Sequence, residues 1–169
     1  WESLPPDSRQ RALVSIDRET GQINRLVEDL LDASRIGAGH FEVHRAPMDI
    51  VALAGEVVSD EQATTQKHTL VLDVPRQPVL GNWDRQRIRQ VLTNLVSNAI
   101  KYSPDGGEVR VRVRRAGAEV IVSVTDEGIG IAPDDVPLLF QPYSRAYRTA
   151  TTKGVGLGLY ITKAIVEAH

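Results

Sequence analysis

The sequence contains no cysteine, so neither disulfides nor thiolate chemistry contribute to its fold or function. Aromatic residues make up only 5% of it, too few to supply the stacking platforms on which single-stranded nucleic acids are held. No apolar run approaches the roughly 18 to 20 residues of a membrane span, and no signal-peptide pattern opens the chain. Charge of one sign is not in excess either: 20 Lys and Arg stand against 22 Asp and Glu, a formal net charge of -2. That balance gives no broad attraction to nucleic acid or anionic lipid. The first residue is Trp1 rather than Met, as expected of a piece cut from a longer protein. What is present is a 41% hydrophobic and 25% charged composition over 169 residues. These are the proportions of a soluble globular protein with room for one domain plus an appended helical element.

The N-terminal third begins with the breaker Pro5-Pro6, followed by Asp7-Ser8 as a helix cap. Leu13, Ile16, Thr20, Ile23, Val27, Leu30 and Ser34 then recur at alternating spacings of three and four, flanked by Leu26 and Leu31. This heptad-like seam predicts one helix of an intermolecular bundle, because the stripe is narrow and the other faces are charged. Gly37-Ala38-Gly39 offers its C-terminal cap.

From residue 41 onward the pattern alternates between strand and helix. Strands are expected at Phe41 to Arg45, Thr69 to Val74 and Val79 to Gly81, and a hairpin at Val109 to Arg115 and Val120 to Asp126, turned at Ala116-Gly117. Asp49 caps a helix running to about Gln66, and Asp84 caps a long one ending near Tyr102. A short helix from Asp134 and a last helix from near Gly156 complete the order. The expected class is α+β: a two-layer α/β sandwich, a mixed sheet with helices on one face, preceded by a long N-terminal helix. Arg110, Arg112 and Arg114 alternate along one strand without interleaved aromatics, which reads as a solvated sheet face.

Four short segments carry the chemistry. In Asn94-Leu95-Val96-Ser97-Asn98-Ala99-Ile100-Lys101-Tyr102, the residues Asn94, Asn98 and Lys101 fall on one helical face. Amide oxygens are hard donors for Mg2+, and an ammonium offsets phosphate charge. Asp126-Glu127-Gly128-Ile129-Gly130 ends a strand in a tight turn, where a carboxylate can accept from the exocyclic amine of adenine. Phe140-Gln141-Pro142-Tyr143 opens an irregular stretch with Arg145, Arg148 and Lys153, the composition of a phosphate-contacting lid or of a surface loop. Gly154-Val155-Gly156-Leu157-Gly158-Leu159 precedes a helix whose free amides make an anion site. Together these are the parts of a Mg-ATP site.

Residues 41–169 resemble the catalytic ATP-binding domain of sensor histidine kinases, in the GHKL ATPase superfamily, and the four segments match that family's N, G1, F and G2 boxes in order. The resemblance implies that Asn98 ligates Mg2+, that Asn94 and Lys101 contact phosphates, and that Tyr102 flanks the adenine. It implies that Asp126 accepts from the adenine amine in a pocket shaped by Gly128 and Gly130. Phe140 and Tyr143 would anchor the lid, while Gly154, Gly156, Leu157 and Gly158 close over the phosphates. Arg145 or Arg148 would stabilise the transferring phosphoryl group. Val27 to Arg35 is similar to the second helix of the family's dimerisation and phosphoacceptor region. The implied division is residues 1–38 for that region and residues 39–169 for the catalytic domain, truncated before its last strands.

Hydrolytic and serine-directed members of the superfamily carry a Glu where this chain has Asn94. Water or a serine hydroxyl needs a base to take its proton, whereas a neutral imidazole is already nucleophilic. The Asn therefore favours a kinase that phosphorylates histidine. None of His40, His44, His68 and His169 is followed by an acid as the family's phosphoacceptor is, and each reads as an ordinary surface or partly buried histidine. The expected protein is a cytoplasmic fragment of a homodimeric parent. Its partners are ATP, the parent's own phosphoacceptor helix and a response-regulator receiver domain, with no nucleic acid. A non-catalytic nucleotide-sensing interaction module and a GHKL ATPase are the rival readings.

Overall fold

The computed structural model describes residues 6–144 and 155–169. The chain divides into two compact units, Trp1–Phe41 and Glu42–His169. In the first, α1 spans Pro6–Gly37. Asp7 and Ser8 lie inside it rather than capping it, and Pro6 takes the first turn, where a missing N–H costs nothing. The far end closes as expected: Gly39 adopts φ +72°, its amide donates to the Ile36 carbonyl, and the His40 amide donates to that of Arg35. That pair of bonds is a Schellman cap, and only its αL position requires the glycine. Leu13, Ile16, Ile23, Val27, Leu30 and Leu31 are between 48% and 59% exposed, so the heptad seam lies open.

The second unit contains β1 (Ala46–Asp49), α2 (Ile50–Gln62), β2 (His68–Asp73), β3 (Leu80–Trp83), α3 (Arg85–Tyr102), β4 (Gly107–Ala116), β5 (Glu119–Thr125) and α4 (Gly158–Ala168), with a 3-10 turn at Val136–Leu138. β2 pairs parallel with β4 and β4 antiparallel with β5, while β1 and β3 form a separate antiparallel ribbon. The fold is thus mixed α/β as expected, with its strands hydrogen-bonded in two groups. Val109, Val111 and Val113 of β4 are buried beneath α2 and α3, which contribute Leu53, Ala54 and Val57 and Val91, Leu92, Val96 and Ala99 to the core, and α4 packs on α3 with Ile161 and Ile165 buried. The intervening Arg112 and Arg114 are exposed on the other face, as the period of two requires. Arg112 pairs with Asp73 at 2.6 Å and Arg110 with Glu108 at 2.6 Å, exposed contacts worth little to stability.

Several expected boundaries move, including the strand read at Val79 to Gly81, which forms at Leu80–Trp83, and two of the shifts have identifiable reasons. The first strand begins at Ala46 instead of Phe41, because the His44 amide donates to the Asp84 carboxylate rather than to a ladder. α2 stops at Gln62 rather than Gln66. There Thr64 Oγ1 turns back to the Glu61 carbonyl, and the Gln62 side chain donates to the Thr65 and His68 carbonyls and accepts from the Leu70 amide. Such local side-chain bonds compete with helix propagation. The hairpin turn falls on residues 117–118, one place later than read, with Gly117 at φ +65°.

Asp49 and Asp84 cap α2 and α3 as the sequence indicates. Asp49 Oδ1 accepts from the amides of Val51 and Val79, both at 3.0 Å. Asp84 is more heavily engaged: Oδ1 accepts from Gln86 and Arg87 at 3.1 Å each, and Oδ2 accepts from His44 at 2.8 Å. Its own amide donates to His169 Nε2 at 2.9 Å, and His169 Nδ1 lies 2.7 Å from the Ile165 carbonyl. A carbonyl only accepts, so the imidazole proton sits on Nδ1.

Burial pushes the Asp84 carboxyl up, but the amides of His44, Arg87 and Gln86 outweigh it and hold the group below its ordinary value. A carboxyl held low contributes stability above its unfolded pKa and loses it as pH falls through the folded one. Asp84→Ala is expected to lower the unfolding free energy by about 1–2 kcal/mol at neutral pH. The gap from the wild type should narrow on acidification below the carboxylate range, which denaturant titrations at neutral and acidic pH will measure.

Candidate functional site

The second half of α3 is where the predicted residues gather. Asn94 and Asn98 lie one turn apart, and Asn98 Nδ2 donates to Asn94 Oδ1 at 3.4 Å. Asn94 Nδ2 in turn donates to Thr162 Oγ1 of α4 at 2.9 Å. Both polar atoms of Asn94 are therefore occupied, whereas Asn98 Oδ1 has no hydrogen-bond partner among the described residues. α4 comes this close because it begins with Gly158: a Cβ there would lie 2.3 Å from Asn94 Oδ1. Leu157, 1% exposed, anchors the start of α4, and no side chain caps that end. Its first amides have no partner among the described residues, the arrangement that attracts anions.

The other end of α3 receives the Asp126 turn. Asp126 Oδ1 accepts from the Gly128 amide at 2.9 Å and from Ser103 Oγ at 3.4 Å, and the Ile129 amide donates to the Tyr102 carbonyl at 3.1 Å. A Cβ on Gly128 would meet that carbonyl oxygen at 2.3 Å, and Gly130 sits at φ +68°. Behind the turn, buried His68 lies 2.8 Å through Nε2 from the Ser103 carbonyl and 2.8 Å through Nδ1 from Thr65 Oγ1. Lys101 follows Asn98 on the same helix. Its Nζ donates to Tyr102 Oη at 3.2 Å and lies 4.8 Å from the ring centroid, a cation–π contact.

The segment beyond the turn meets the start of α4. Gly156, at φ +77°, would bring a Cβ within 2.6 Å of the Ser144 carbonyl, and Tyr143 itself has φ 61°. Phe140 and Tyr143 are exposed, together with Ile129, Ile131, Val136 and Leu138, a concentration of apolar surface characteristic of binding regions. Arg145, Arg148 and Gly154 lie outside the described residues. A shallow concavity lined by Pro47, Met48, Asp49, Leu80, Gly81 and Asn82 sits on the β1–β3 ribbon and contains none of the predicted residues. No group of three or more His, Cys, Asp or Glu suited to a metal occurs among the described residues.

Three participants escaped the sequence reading: Ser103, His68 and Thr162. Ser103 directly follows the first segment, and Thr162 is a polar residue between the buried Ile161 and Ile165; those were the available signals. The glycine contacts yield an order of stabilities. Gly128→Ala and Gly158→Ala should each cost about 2–3 kcal/mol, the upper range for overpacking. Gly130→Ala, which meets no neighbour, should cost about 1 kcal/mol for its left-handed backbone. Urea denaturation of the three variants tests this order.

Residues 83–169 match the family described as histidine kinase-, DNA gyrase B- and HSP90-like ATPase. The chain is 35% identical over 174 residues to the sensor histidine kinase WalK of Bacillus subtilis, covering 100% of this chain and 28% of that one. The solved histidine kinase AdeS of Acinetobacter baumannii superposes with a TM-score of 0.70 at 29% identity, covering 98% of this chain and 75% of the other. Full-length ShkA in complex with AMPPNP gives a TM-score of 0.74 at 31% identity, covering 95% of this chain and 34% of that one. The chain spans less than half the length of the curated relatives it matches. With just over half of its residues matched, and with the glycine turns and amide pair drawn onto α3, the chain belongs to the histidine kinase-, DNA gyrase B- and HSP90-like ATPase family.

Proposed function

We propose that the chain is the ATP-binding catalytic part of a two-component sensor histidine kinase. It binds Mg-ATP and delivers the γ-phosphoryl group to a histidine outside this chain, from which a response-regulator aspartate receives it. One observation carries this reading: the Asp126 turn and the start of α4 dock on α3 at Tyr102 and Asn94 through glycines that leave no room for a side chain. Those two points are separated by about 12 Å along the helix at 1.5 Å per residue, a distance that an extended nucleoside triphosphate spans. Asp126 then accepts from the adenine amine beside Gly128, Gly130 and Tyr102. The amides at Gly158, with Leu157, Gly156 and Gly154 before it, receive the phosphates.

The donor set suits magnesium. Asn98 Oδ1 is a hard oxygen with no protein partner among the described residues, and Mg2+ characteristically takes one or two protein oxygens besides phosphate and water. Bound there, Mg2+ supplies charge neutralisation to the β- and γ-phosphoryl oxygens. Lys101, Arg145 and Arg148 are assigned the same electrostatic task, and Phe140 and Tyr143 the anchoring of the lid. In the transfer, the acceptor imidazole nitrogen forms a bond to the γ-phosphorus as the bond to the ADP oxygen breaks. No base is required, and Asn94, donating to Thr162 and accepting from Asn98, supplies none.

His68 and His169 each use both ring nitrogens in internal contacts, which supports an acceptor elsewhere in the parent. The open seam of α1 supports pairing with a second copy in a dimeric parent. No described helix is long and apolar enough to cross a membrane, and we assign the chain to the cytoplasmic side of its parent.

Asp126→Asn and Asn98→Ala should each weaken Mg-ATP binding about tenfold or more, the loss of a hydrogen bond or ligand contact to a charged group; calorimetry measures it. Supplying phosphoacceptor helices in trans with γ-labelled ATP should label a histidine. Unchanged nucleotide binding in both variants would sink the site. Intact binding without transfer would favour a nucleotide-sensing module, and steady phosphate release an ATPase.

A further inference from the structure

The hydrogen bonds that run through Asn94 and Asn98 begin on a residue outside all four predicted segments. Thr162 is 7% exposed, four residues into α4 from Gly158, and flanked by the buried Ile161 and Ile165. Its Oγ1 is the acceptor for Asn94 Nδ2 at 2.9 Å, and Asn94 Oδ1 is the acceptor for Asn98 Nδ2 at 3.4 Å. We propose that Thr162 is a positioning residue for the magnesium ligand, acting through Asn94 to turn the oxygen of the Asn98 amide toward the cation. This rests on the Mg-ATP reading above.

The argument is one of direction. The amide of an Asn side chain has a broad, roughly two-fold torsional preference, so nothing intrinsic decides whether Asn98 offers an oxygen or an N–H to the cleft. A hydrogen-bond chain decides it only if one end is fixed. Thr162 Oγ1 is the acceptor in its contact with Asn94 Nδ2, and that direction fixes the end of the chain. Asn94 must then present its N–H to Thr162 and its oxygen to Asn98. Asn98 must in turn present its N–H to Asn94, and its oxygen is the atom left over. If Thr162 donated instead, both amides would reverse, and Asn98 would offer N–H to a cation. Gly158 makes the chain possible, because any side chain there would occupy the space of the Asn94 amide.

The test is calorimetric ATP binding by the 169-residue chain, with Mg2+ titrated and again with the metal chelated. Thr162→Val keeps the volume and removes the acceptor. It should raise the Mg2+ concentration needed for half-maximal tight binding about tenfold, the lower end for a residue behind a metal ligand, while metal-free ATP affinity stays at the wild-type value. Thr162→Ser should restore the Mg2+ response. The double variant Asn94→Ala with Thr162→Val should bind no more weakly than Asn94→Ala alone, as expected for residues acting in series. An unaltered Mg2+ response in Thr162→Val would overturn the proposal. So would equal weakening with and without metal, or failure of the serine to rescue, since each assigns Thr162 to packing alone. Asn98→Ala that keeps its full Mg2+ dependence would instead remove the ligand assignment beneath it, a separate failure read from a separate variant.

Discussion

Close approach of backbone to the second half of α3 is the constraint on which the site depends. Gly128 meets the Tyr102 carbonyl and Gly158 meets the Asn94 amide at distances that no side chain survives. A β-carbon on Gly128 would push the turn off the Tyr102 backbone, and one on Gly158 would displace the Asn94 amide from its bonds. Glycine therefore does two different things within a few residues. At Gly130 it permits left-handed backbone; at Gly128 and Gly158 it supplies room, and Gly156 does both. The second use fixes geometry, whereas the first merely allows a path.

That geometry sits on an ordinary core. α3 presents Val91, Leu92, Val96 and Ala99 inward to the valines of β4, and its polar side is thereby turned toward α4 and the Asp126 turn. The same amphipathic division that buries the helix also aims Asn94 and Asn98. Surface charge is peripheral to this. Glu56 joins Arg85 and Arg89 across α2 and α3, and the hydrogen bond from Arg85 holds its carboxyl below the usual range. This exposed cluster is well removed in kind from the buried bonds at Thr162 and His68.

Features specified by neighbours in sequence were legible before any coordinates. Asp49 and Asp84 cap their helices with amides two and three residues on, and Gly39 ends α1 by its own backbone angle. The alternation of Val and Arg along β4 states which face is buried. The glycine segments were legible for the same reason. Illegible were the features decided by residues distant along the chain. The first strand follows the pairing with β3 and the pull of Asp84 on His44. The end of α2 follows the reach of Gln62 to β2. Thr162 bonds a residue 68 positions away and His68 one 35 positions away, so no local pattern announces either. The contact of Lys101 with Tyr102 was illegible too, because helical periodicity fixes where a side chain leaves the backbone and not where its four-carbon stem reaches.

α4 is held at both ends by the same helix. Near its start Thr162 and Gly158 engage Asn94, and at its finish His169 receives the amide of Asp84, with Arg45 donating to the Ala168 carbonyl. A rod pinned twice to its neighbour can neither swivel about one contact nor slide past it without breaking the other. The placement of α4 along α3 is thus set at two separated points, at Asn94 near its start and at Asp84 beyond its finish.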